Sequence, residues 1–330
     1  MVKKKNRKSP SFLLAFLISV VICVIIYAIN NDFDVLKGIS PEFDKVIEVI
    51  SDFTVNFRDK GTLSTDTEDI CKITVIDVGQ GDSTLIETPN QEYILVDTGP
   101  SVARYNLSIF LEESEVEEIE YLILTHPHAD HIGNATQVLE DYKVNNVIMP
   151  NVSTTSATFT KLLDAIKEEK KGGCKVYSLE FNDEYTIDGC NMTMLGPVSI
   201  DEDDLNNCSV VMNFEYGDFG MLFMGDAEVK EETEILKKGA DVKCTVLKAG
   251  HHGSSTSSGE KLLDSAKPEV ALISCEKNNS YGHPHAETLK AYKERGIEYY
   301  ITYENGNITV ETDGKSYDIV CEKENKSKAA

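Results

Sequence analysis

Short apolar runs, rich in β-branched residues, recur along the chain from Cys71 onward with turn-forming residues between them. They cover residues 73–78, 84–87, 93–96 and 121–124. Runs of this length bounded by Gly, Pro, Asn or Asp are typical of β-strands. The first part of this region is therefore predicted to form a sheet.

Segments with helical periodicity follow and alternate with further strands. The predicted pairs of helix and strand are 132–142 with 147–149, 158–170 with 175–177, 229–238 with 244–247, and 286–295 with 299–302. The Asn305-Gly306 dipeptide predicts a closing hairpin after the last of these strands. The whole pattern indicates an α/β (α+β) domain over residues 70–322, with two sheets and helices outside them.

The amino terminus has a different pattern, in which a basic cluster precedes a long apolar run. No acidic residue precedes Asp32, and residues 12–29 contain a single clearly polar side chain, Ser19. A run of this length can span a bilayer. We therefore predict a cytoplasmic basic tail at 1–11 and a transmembrane anchor at 12–30. Because Lys and Arg stay on the cytoplasmic side, the rest of the chain is expected outside the cell.

A cleaved secretory signal is the alternative that this pattern leaves open, and a buried soluble helix is a further one. The apolar stretch of a signal is usually shorter and ends in small residues at the cleavage site, whereas this run ends in YAIN at 27–30. Between the anchor and the first strand, residues 31–69 are predicted to form a stalk. Residues 323–330 are predicted to form a flexible tail.

Charge limits the choice of partners. The chain of 330 residues has 56 acidic against 32 basic side chains and a formal net charge of −24, and its basic cluster belongs to the amino terminus. Nonspecific binding to nucleic acid depends on Lys and Arg that neutralise phosphates, so the acidic remainder disfavours it. A local basic patch stays possible.

The eight cysteines include no CxxC pair, which argues against a disulfide framework and a cysteine metal site.

All seven histidines fall in three short segments, at 125–131, 250–254 and 281–285. The first segment follows the apolar run at 121–124, so its side chains are expected on a loop at the end of a strand. Its metal-ligand residues are His126, His128, Asp130 and His131. Imidazole nitrogens and carboxylate oxygens at this spacing suit zinc or another divalent metal.

Two further apolar runs end on residues of the same kind. One leads to Asp226, and the other leads to His251 and His252. Three strand ends that carry potential ligands predict a single metal site at the edge of a sheet. Asp226 is suited to bridge two metals there.

The segments HPHADH at 126–131, GD at 225–226 and HHGS at 251–254 resemble the metallo-β-lactamase superfamily. More narrowly, IDVGQGDS at 76–83, VDTG at 96–99 and YGHP at 281–284 are similar to the extracellular domain of ComEC-type competence proteins. The similarity extends roughly from residue 71 to residue 303. It implies an αββα sandwich with two divalent metals, zinc or manganese, at one edge between the sheets.

The resemblance also implies a role for each site residue. His126 and His128 would bind one metal, Asp130 and His131 the other, Asp226 would bridge them, and His251 or His252 would join the second metal. Asp97 would orient the site from behind its ligands, with a simple turn residue as the alternative. Asp130 and His283 are the predicted catalytic residues, and His283 would contact the substrate or the transition state.

One departure from the superfamily pattern concerns the first metal. Most members have another histidine ligand before the bridging aspartate, and this chain has no histidine between positions 132 and 250. The segment NNCS at 206–209 lies near the expected place. We therefore expect the first metal to be completed by water, by Asn207 or by His283.

The expected reaction is hydrolysis by a metal-bridged hydroxide, since two metals lower the pKa of a bound water to about 7. No GxSxG or P-loop signature competes with this mechanism. The ComEC-type resemblance implies a phosphodiesterase outside the cell, with DNA, nucleotides or cell-envelope phosphodiesters as open substrates. The alternatives are a lactonase or β-lactam hydrolase, and a non-catalytic metal-containing surface module linked to competence.

Overall fold

The structure is a computed structural model that describes residues 69–323. The predicted basic tail, the anchor, nearly all of the stalk and nearly all of the flexible tail lie outside these residues. Within the described range, every helix is too short or too polar to cross a bilayer.

The described residues form fifteen strands and eight α-helices. The strands are β1 (Cys71–Val75), β2 (Thr84–Glu87), β3 (Tyr93–Val96), β4 (Glu118–Ile123), β5 (Lys143–Met149), β6 (Lys175–Ser178), β7 (Asp183–Ile187), β8 (Cys190–Gly196), β9 (Val211–Tyr216), β10 (Phe219–Phe223), β11 (Val246–Lys248), β12 (Val270–Ile273), β13 (Glu298–Ile301), β14 (Ile308–Thr312) and β15 (Tyr317–Cys321). The helices are α1 (Arg104–Glu113), α2 (Ala129–Ile132), α3 (Ala135–Asp141), α4 (Ala157–Gly172), α5 (Val229–Lys237), α6 (Glu260–Ala266), α7 (Ala286–Glu294) and α8 (Thr302–Asn305).

The strands form two mixed sheets. One has the order β15-β14-β1-β2-β3-β4-β5-β6, and the other has the order β13-β12-β11-β10-β9-β8-β7. Strands β3 to β6 are parallel to one another, as are β10 to β13. Each sheet therefore carries a group of parallel strands whose carboxyl ends lie along one edge.

Central strands such as β3, β10 and β12 are buried on both faces, which explains why their sequences are continuously apolar, whereas the edge strands β7 and β15 are partly exposed. In β3, Ile94 and Val96 pack in the core between the sheets, whereas Tyr93 and Leu95 pack against helices. Helices α1 to α4 cover the first sheet, and α5 to α7 cover the second. The three apolar layers confirm the predicted αββα sandwich.

The predicted hairpin through Asn305-Gly306 is wrong. Residues 302–305 form α8, and the Asn305 side-chain oxygen accepts a hydrogen bond from the Ile301 amide at 3.1 Å. The closing hairpin lies one strand later, where β14 pairs with β15 and Asp313 Oδ1 accepts from the Ser316 amide at 2.8 Å. An Asn-Gly pair predicts a turn, but an Asn side chain can also close a helical turn.

The helix predicted over 132–142 is divided into α2 and α3 at Gly133 and Asn134. A Cβ atom on Gly133 would lie 2.5 Å from the Ser101 amide nitrogen, so the two backbones approach closely there. The Asn134 side chain donates hydrogen bonds to the carbonyl oxygens of Thr98 and Pro100, both at 2.8 Å. This break fixes α2 against the loop that follows β3.

Candidate metal centre

The site residues lie where strands of both sheets end. In the first sheet Asp97 follows β3, and the segment containing His126 follows β4. In the second sheet Asp226 follows β10, and His252 follows β11. The two edges are joined by a hydrogen bond from the Val210 amide to the Thr125 carbonyl oxygen, at 2.8 Å. This arrangement matches the predicted metal site between the sheets.

The HPHADH segment is a loop only in its first half. His126 and His128 lie on a loop, as predicted, but Asp130 and His131 belong to the short helix α2, which the sequence did not indicate. Gly81 packs against this helix, and a Cβ atom there would lie 2.3 Å from the Asp130 carbonyl oxygen. Glycine at this position therefore lets the 76–83 segment support the helix.

The first of two candidate ligand groups consists of His126, His128 and Asp226. His126 Nε2 lies 2.9 Å from His128 Nδ1 and 3.7 Å from Asp226 Oδ2. His126 and Asp226 are buried and His128 is partly buried, and the three ligand atoms lie within 4.8 Å of one another.

The second group consists of Asp82, His131, Asp226 and His252, all of them buried. The Asp226 Oδ1 atom lies 3.2 Å from His131 Nε2 and 3.6 Å from His252 Nε2. Asp130 Oδ2 lies 3.5 Å from His252 Nε2, so Asp130 is beside this group. The two oxygens of Asp226 thus face different groups, as a bridging carboxylate requires.

Several of these atoms lack the hydrogen bonds that buried polar atoms normally make. Asp226 Oδ1, His131 Nε2 and His252 Nε2 are buried and have no hydrogen-bond partner among residues 69–323. Bound divalent cations would satisfy all three atoms. The donor set of imidazole nitrogens and carboxylate oxygens, arranged in two groups around one shared aspartate, therefore fits a dinuclear centre.

The carboxylates dominate the electrostatics of the second group. Burial lowers the pKa of His131, but Asp226 and Asp97 outweigh burial and hold that pKa well above its ordinary value. Burial likewise opposes the charged form of His252, yet Asp226 and Asp82 raise its pKa to about 10. In the first group, burial and the neighbouring His131 lower the pKa of His126. Positive charge is therefore stabilised most strongly on the side of the second group.

Asp97 lies directly behind His131. One of its oxygens is 2.7 Å from His131 Nδ1, and its carboxylate accepts hydrogen bonds from the amide and hydroxyl of Thr125 at 2.8 and 2.6 Å. The backbone at Asp97 has a φ of 58°, an uncommon conformation for a residue other than glycine. This position suits the predicted role of orienting the ligands.

Sequence reasoning missed two residues: Asp82, which belongs to the second group, and Lys248, which forms a buried ion pair with it. Lys248 Nζ lies 2.7 Å from Asp82 Oδ2, and Asp82 Oδ1 lies 3.5 Å from His252 Nδ1. Burial raises the pKa of Asp82, but Lys248 and His252 more than offset it and lower that pKa below its ordinary value. A lysine within the apolar run TVLKAG was the available signal, because charged residues are almost never fully buried unless they are paired.

Of the remaining histidines, His251 and His283 line the cavity beside the two groups, whereas His285 does not. His251 Nε2 lies 3.8 Å from Asp226 Oδ2, on the side of the first group, and His252 rather than His251 belongs to the second. The ring of His283 is 5.4 Å from that of His251, and its buried Nδ1 has no hydrogen-bond partner in the described part of the chain. His285 instead accepts a hydrogen bond from the Ser255 amide at 2.9 Å, which is a structural role.

The cavity has a volume of about 420 Å³. Its walls are polar and are formed by Gln80, His128, Ala129, Asp130, Asn206, Asp226, His251, His252, Tyr281 and His283. Both predicted catalytic residues, Asp130 and His283, therefore face the same space as the candidate ligands.

Asn207, one of the expected completions of the first metal, points elsewhere. Its side-chain oxygen accepts hydrogen bonds from the amides of Glu228 and Glu231 at 3.2 and 3.3 Å, and its nitrogen donates to Asp204. The expectation that Asn207 contacts the metal is therefore wrong, because its oxygen caps the start of α5. The neighbouring Asn206 lines the cavity instead.

The family model described as the metallo-beta-lactamase superfamily matches residues 76–276, which is more than half of the chain. The chain belongs to this superfamily. Among curated proteins, ComE operon protein 3 of Bacillus subtilis is 32% identical to this chain over 254 residues. The match covers 72% of this chain and 32% of that protein. Recombination protein 2 of Haemophilus influenzae is 31% identical to this chain over 230 residues, and the match covers 67% of this chain and 27% of that protein.

The chain thus spans about a third of the length of the curated relatives that it matches. Together with a competence protein of Neisseria gonorrhoeae, these relatives confirm the predicted ComEC-type resemblance. A metallo hydrolase from Ignicoccus hospitalis has the same fold, with a TM-score of 0.50, 12% identity, and coverage of 72% of this chain and 98% of that chain. The chain is therefore a member of this superfamily with a His/Asp cluster suited to a dinuclear centre.

Proposed function

We propose that this protein is a metal-dependent phosphodiesterase that acts outside the cell and is held at the membrane by residues 12–30. The observation that carries the proposal is the pair of ligand groups that share Asp226 and open onto one polar cavity. Two divalent ions in such groups supply a hydroxide at neutral pH and stabilise charge on phosphoryl oxygens.

The residues of the cavity wall have distinct tasks in this proposal. Asp226 holds the two ligand groups in one geometry, and Asp97 fixes the ring of His131. His283 presents a neutral imidazole to a substrate oxygen, since burial and the nearby His252 lower its pKa to about 4. Its loop is held by Asn279, whose side chain accepts from the His283 amide at 3.0 Å and donates to its carbonyl oxygen at 2.6 Å.

The substrate class follows from two arguments that point in different directions. One curated relative is named a competence protein and another a recombination protein, which supports DNA or nucleotides. The acidic charge of the chain weakens nonspecific attraction to a long polyanion and favours short substrates. Tyr281, which is 64% exposed and stacked on His283 at the cavity wall, offers a flat surface to a nucleobase. We therefore favour single-stranded DNA ends or nucleotides over cell-envelope phosphodiesters.

A lactonase or β-lactam hydrolase is the alternative among enzymes. The chain lacks the third histidine typical of those classes, which counts against them. A non-catalytic surface module would keep the same ligand groups without turnover.

Hydrolysis of bis(p-nitrophenyl) phosphate by the full chain in detergent micelles tests the proposal, with zinc or manganese added after chelation. We expect metal-dependent turnover that Asp226→Ala abolishes and Asp318→Ala, an exposed carboxylate on β15, leaves unchanged. Folded, metal-loaded protein that hydrolyses a chromogenic β-lactam but not the diester would favour the alternative enzyme. Protein inert towards both substrates would favour the binding module.

Carbonate extraction of membranes separately tests the anchor, which should keep the chain in the pellet.

A further inference from the structure

The two ligand groups have unequal numbers of donors. The second contains four residues, whereas the first contains only His126, His128 and the shared Asp226. The chain has no histidine between positions 132 and 250 that would complete the first group. A further donor must therefore come from His251, whose Nε2 lies 3.8 Å from Asp226 Oδ2 on the same side, from another kind of side chain, or from water.

Asn206 has the properties that such a donor requires. Its side-chain oxygen is buried and has no hydrogen-bond partner within the described residues, and the residue lines the cavity beside His128 and Asp226. A buried amide oxygen that is left unpaired destabilises the folded chain. A cation in the first group would remove that destabilisation.

The segment that carries Asn206 lies on the side of the first group. The Val210 amide donates to the Thr125 carbonyl oxygen at 2.8 Å, next to His126. The Asp226 amide donates to Ser209 Oγ at 3.0 Å. The segment is therefore fixed between the strand end that bears His126 and the loop that bears Asp226. The second group has a different wall, where Ser274 bonds to His252 and to Gly81.

Hydrogen bonds hold the other polar groups of this segment, in contrast to the side-chain oxygen of Asn206. Asp204 accepts hydrogen bonds from the Asn206 amide at 3.2 Å and from the Asn207 side chain at 2.8 Å. The Asn207 oxygen is already occupied by the amides of Glu228 and Glu231. The structure thus uses one asparagine of the pair to build the wall and leaves the buried oxygen of the other, a residue that lines the cavity, without a partner among the described residues.

We infer that the side-chain oxygen of Asn206 completes the first metal site and gives it a different metal preference from the second. Imidazole suits zinc, whereas amide, carboxylate and water oxygens suit manganese and magnesium. Replacing a histidine by an asparagine oxygen therefore moves the first site towards Mn²⁺. The inference rests on the dinuclear centre of the proposed function and does not depend on which ester is cleaved.

Metal titration of the full chain in micelles tests this inference without measuring activity. The metal-stripped protein is titrated with Mn²⁺, free Mn²⁺ is followed by electron paramagnetic resonance, and Zn²⁺ is then added in competition. In the unaltered chain we expect two Mn²⁺ sites, of which Zn²⁺ displaces one at lower concentration. Asn206→Ala should weaken one Mn²⁺ site by about 10-fold or more, the size of effect seen when the surroundings of a metal site are altered.

Two further variants separate a ligand from a merely structural residue. Asn206→Asp keeps an oxygen donor and should retain both Mn²⁺ sites. Asn206→His should raise the ratio of Zn²⁺ to Mn²⁺ affinity at one site by about 10-fold or more. Asn213→Ala is the matched control, because Asn213 also has a buried side-chain oxygen without a partner among the described residues but does not line the cavity.

The inference is overturned if Asn206→Ala binds two Mn²⁺ with unchanged affinity, or if Asn206→His leaves the Zn²⁺ to Mn²⁺ ratio unchanged. Should Asn206→Ala fail to fold, the aspartate and histidine variants still decide the question. A chain that binds both metals as expected but hydrolyses no phosphodiester would contradict the proposed function and leave this inference standing.

Discussion

The two ligand groups that share Asp226 differ in how their histidine rings are supported. In the second group, His131 Nδ1 lies 2.7 Å from an Asp97 oxygen, and His252 Nδ1 lies 3.0 Å from the Ser274 carbonyl oxygen. In the first group, the corresponding support for His126 is a hydroxyl, Thr125 Oγ1, at 3.2 Å. Each ring of the second group is thus fixed by a carboxylate or backbone oxygen on its far side.

This difference determines how tightly each group can hold a metal. A partner on the far nitrogen fixes the tautomer and the ring orientation of a ligating histidine and makes it a stronger donor. The second group also contains Asp82, whose carboxylate is fixed by a buried ion pair with Lys248; the side chains of Lys248 and Asp82 are 3% and 6% exposed. We therefore expect a firmly held metal in the second group and a more exchangeable one in the first.

Removing the shared ligand should have the largest effect, because it damages both groups at once. Asp226→Ala is expected to lose both bound metal equivalents and to lower diester hydrolysis by more than about 10³-fold, beyond the loss typical of one stabilising group. His128→Ala should lose only the first equivalent. Metal analysis by mass spectrometry after gel filtration distinguishes these results. Retention of one tightly bound equivalent in Asp226→Ala would contradict a shared bridge.

Separate replacement of the two adjacent histidines should sharpen the contrast between the groups. His252→Ala is expected to remove the second metal and to lower turnover by about 10²-fold or more, while His251→Ala should keep both metals. The backbone φ angles at these positions are 48° for His251 and 55° for His252, so the strain that alanine brings is similar in both variants. Equal metal loss in both variants would show that the assignment of His252 to the second group is wrong.

A smaller effect should follow from weakening the support behind His131. Asp97→Asn keeps the size of the side chain but removes the charge next to His131 Nδ1. The metal affinity of the second group should fall about 10- to 100-fold, the range typical when such a partner is lost. The affinity of the first group serves as the internal control in the same titration. An equal fall at both sites would mean that Asp97 stabilises the loop as a whole.

The site residues that could be predicted from the sequence are those that lie close together along the chain. His126 and His131 follow one apolar strand within a few positions, so their convergence follows from the order of residues alone. The pairing of Asp82 with Lys248 does not follow from the order of residues. These two residues are 166 positions apart and meet only when the two sheets pack.

The two neighbouring asparagines show the same limit. Asn206 and Asn207 are identical in type, and the sequence favoured the wrong one. Their roles depend on which side chain reaches the amides at the start of α5, and that follows from the packing of α5 against the loop.

A buried carboxyl next to Asn207 should make stability depend on pH. Glu231 donates its amide to Asn207 Oδ1, and its side chain accepts from the Val198 amide at 2.6 Å. Burial raises the pKa of Glu231 to about 7, above its ordinary value of 4.5. Between these two values the folded chain binds more protons than the unfolded chain, so the free energy of unfolding falls as the pH rises from about 4.5 to about 7.

Glu231→Gln keeps an oxygen for the Val198 amide and cannot ionise. Relative to the unaltered chain, we expect it to gain about 1–2 kcal/mol in the free energy of unfolding at pH 8, with little gain at pH 4.5. Urea unfolding at a series of pH values measures this difference, and metal release, which is common to both chains, cancels. Glu234→Gln, whose side chain on the same helix is 39% exposed, is the control and should show no such gain at high pH. If the gain of Glu231→Gln were independent of pH, it would come from the packing or hydrogen bonds of the amide, and Glu231 would not titrate between pH 4.5 and pH 8 in the folded chain.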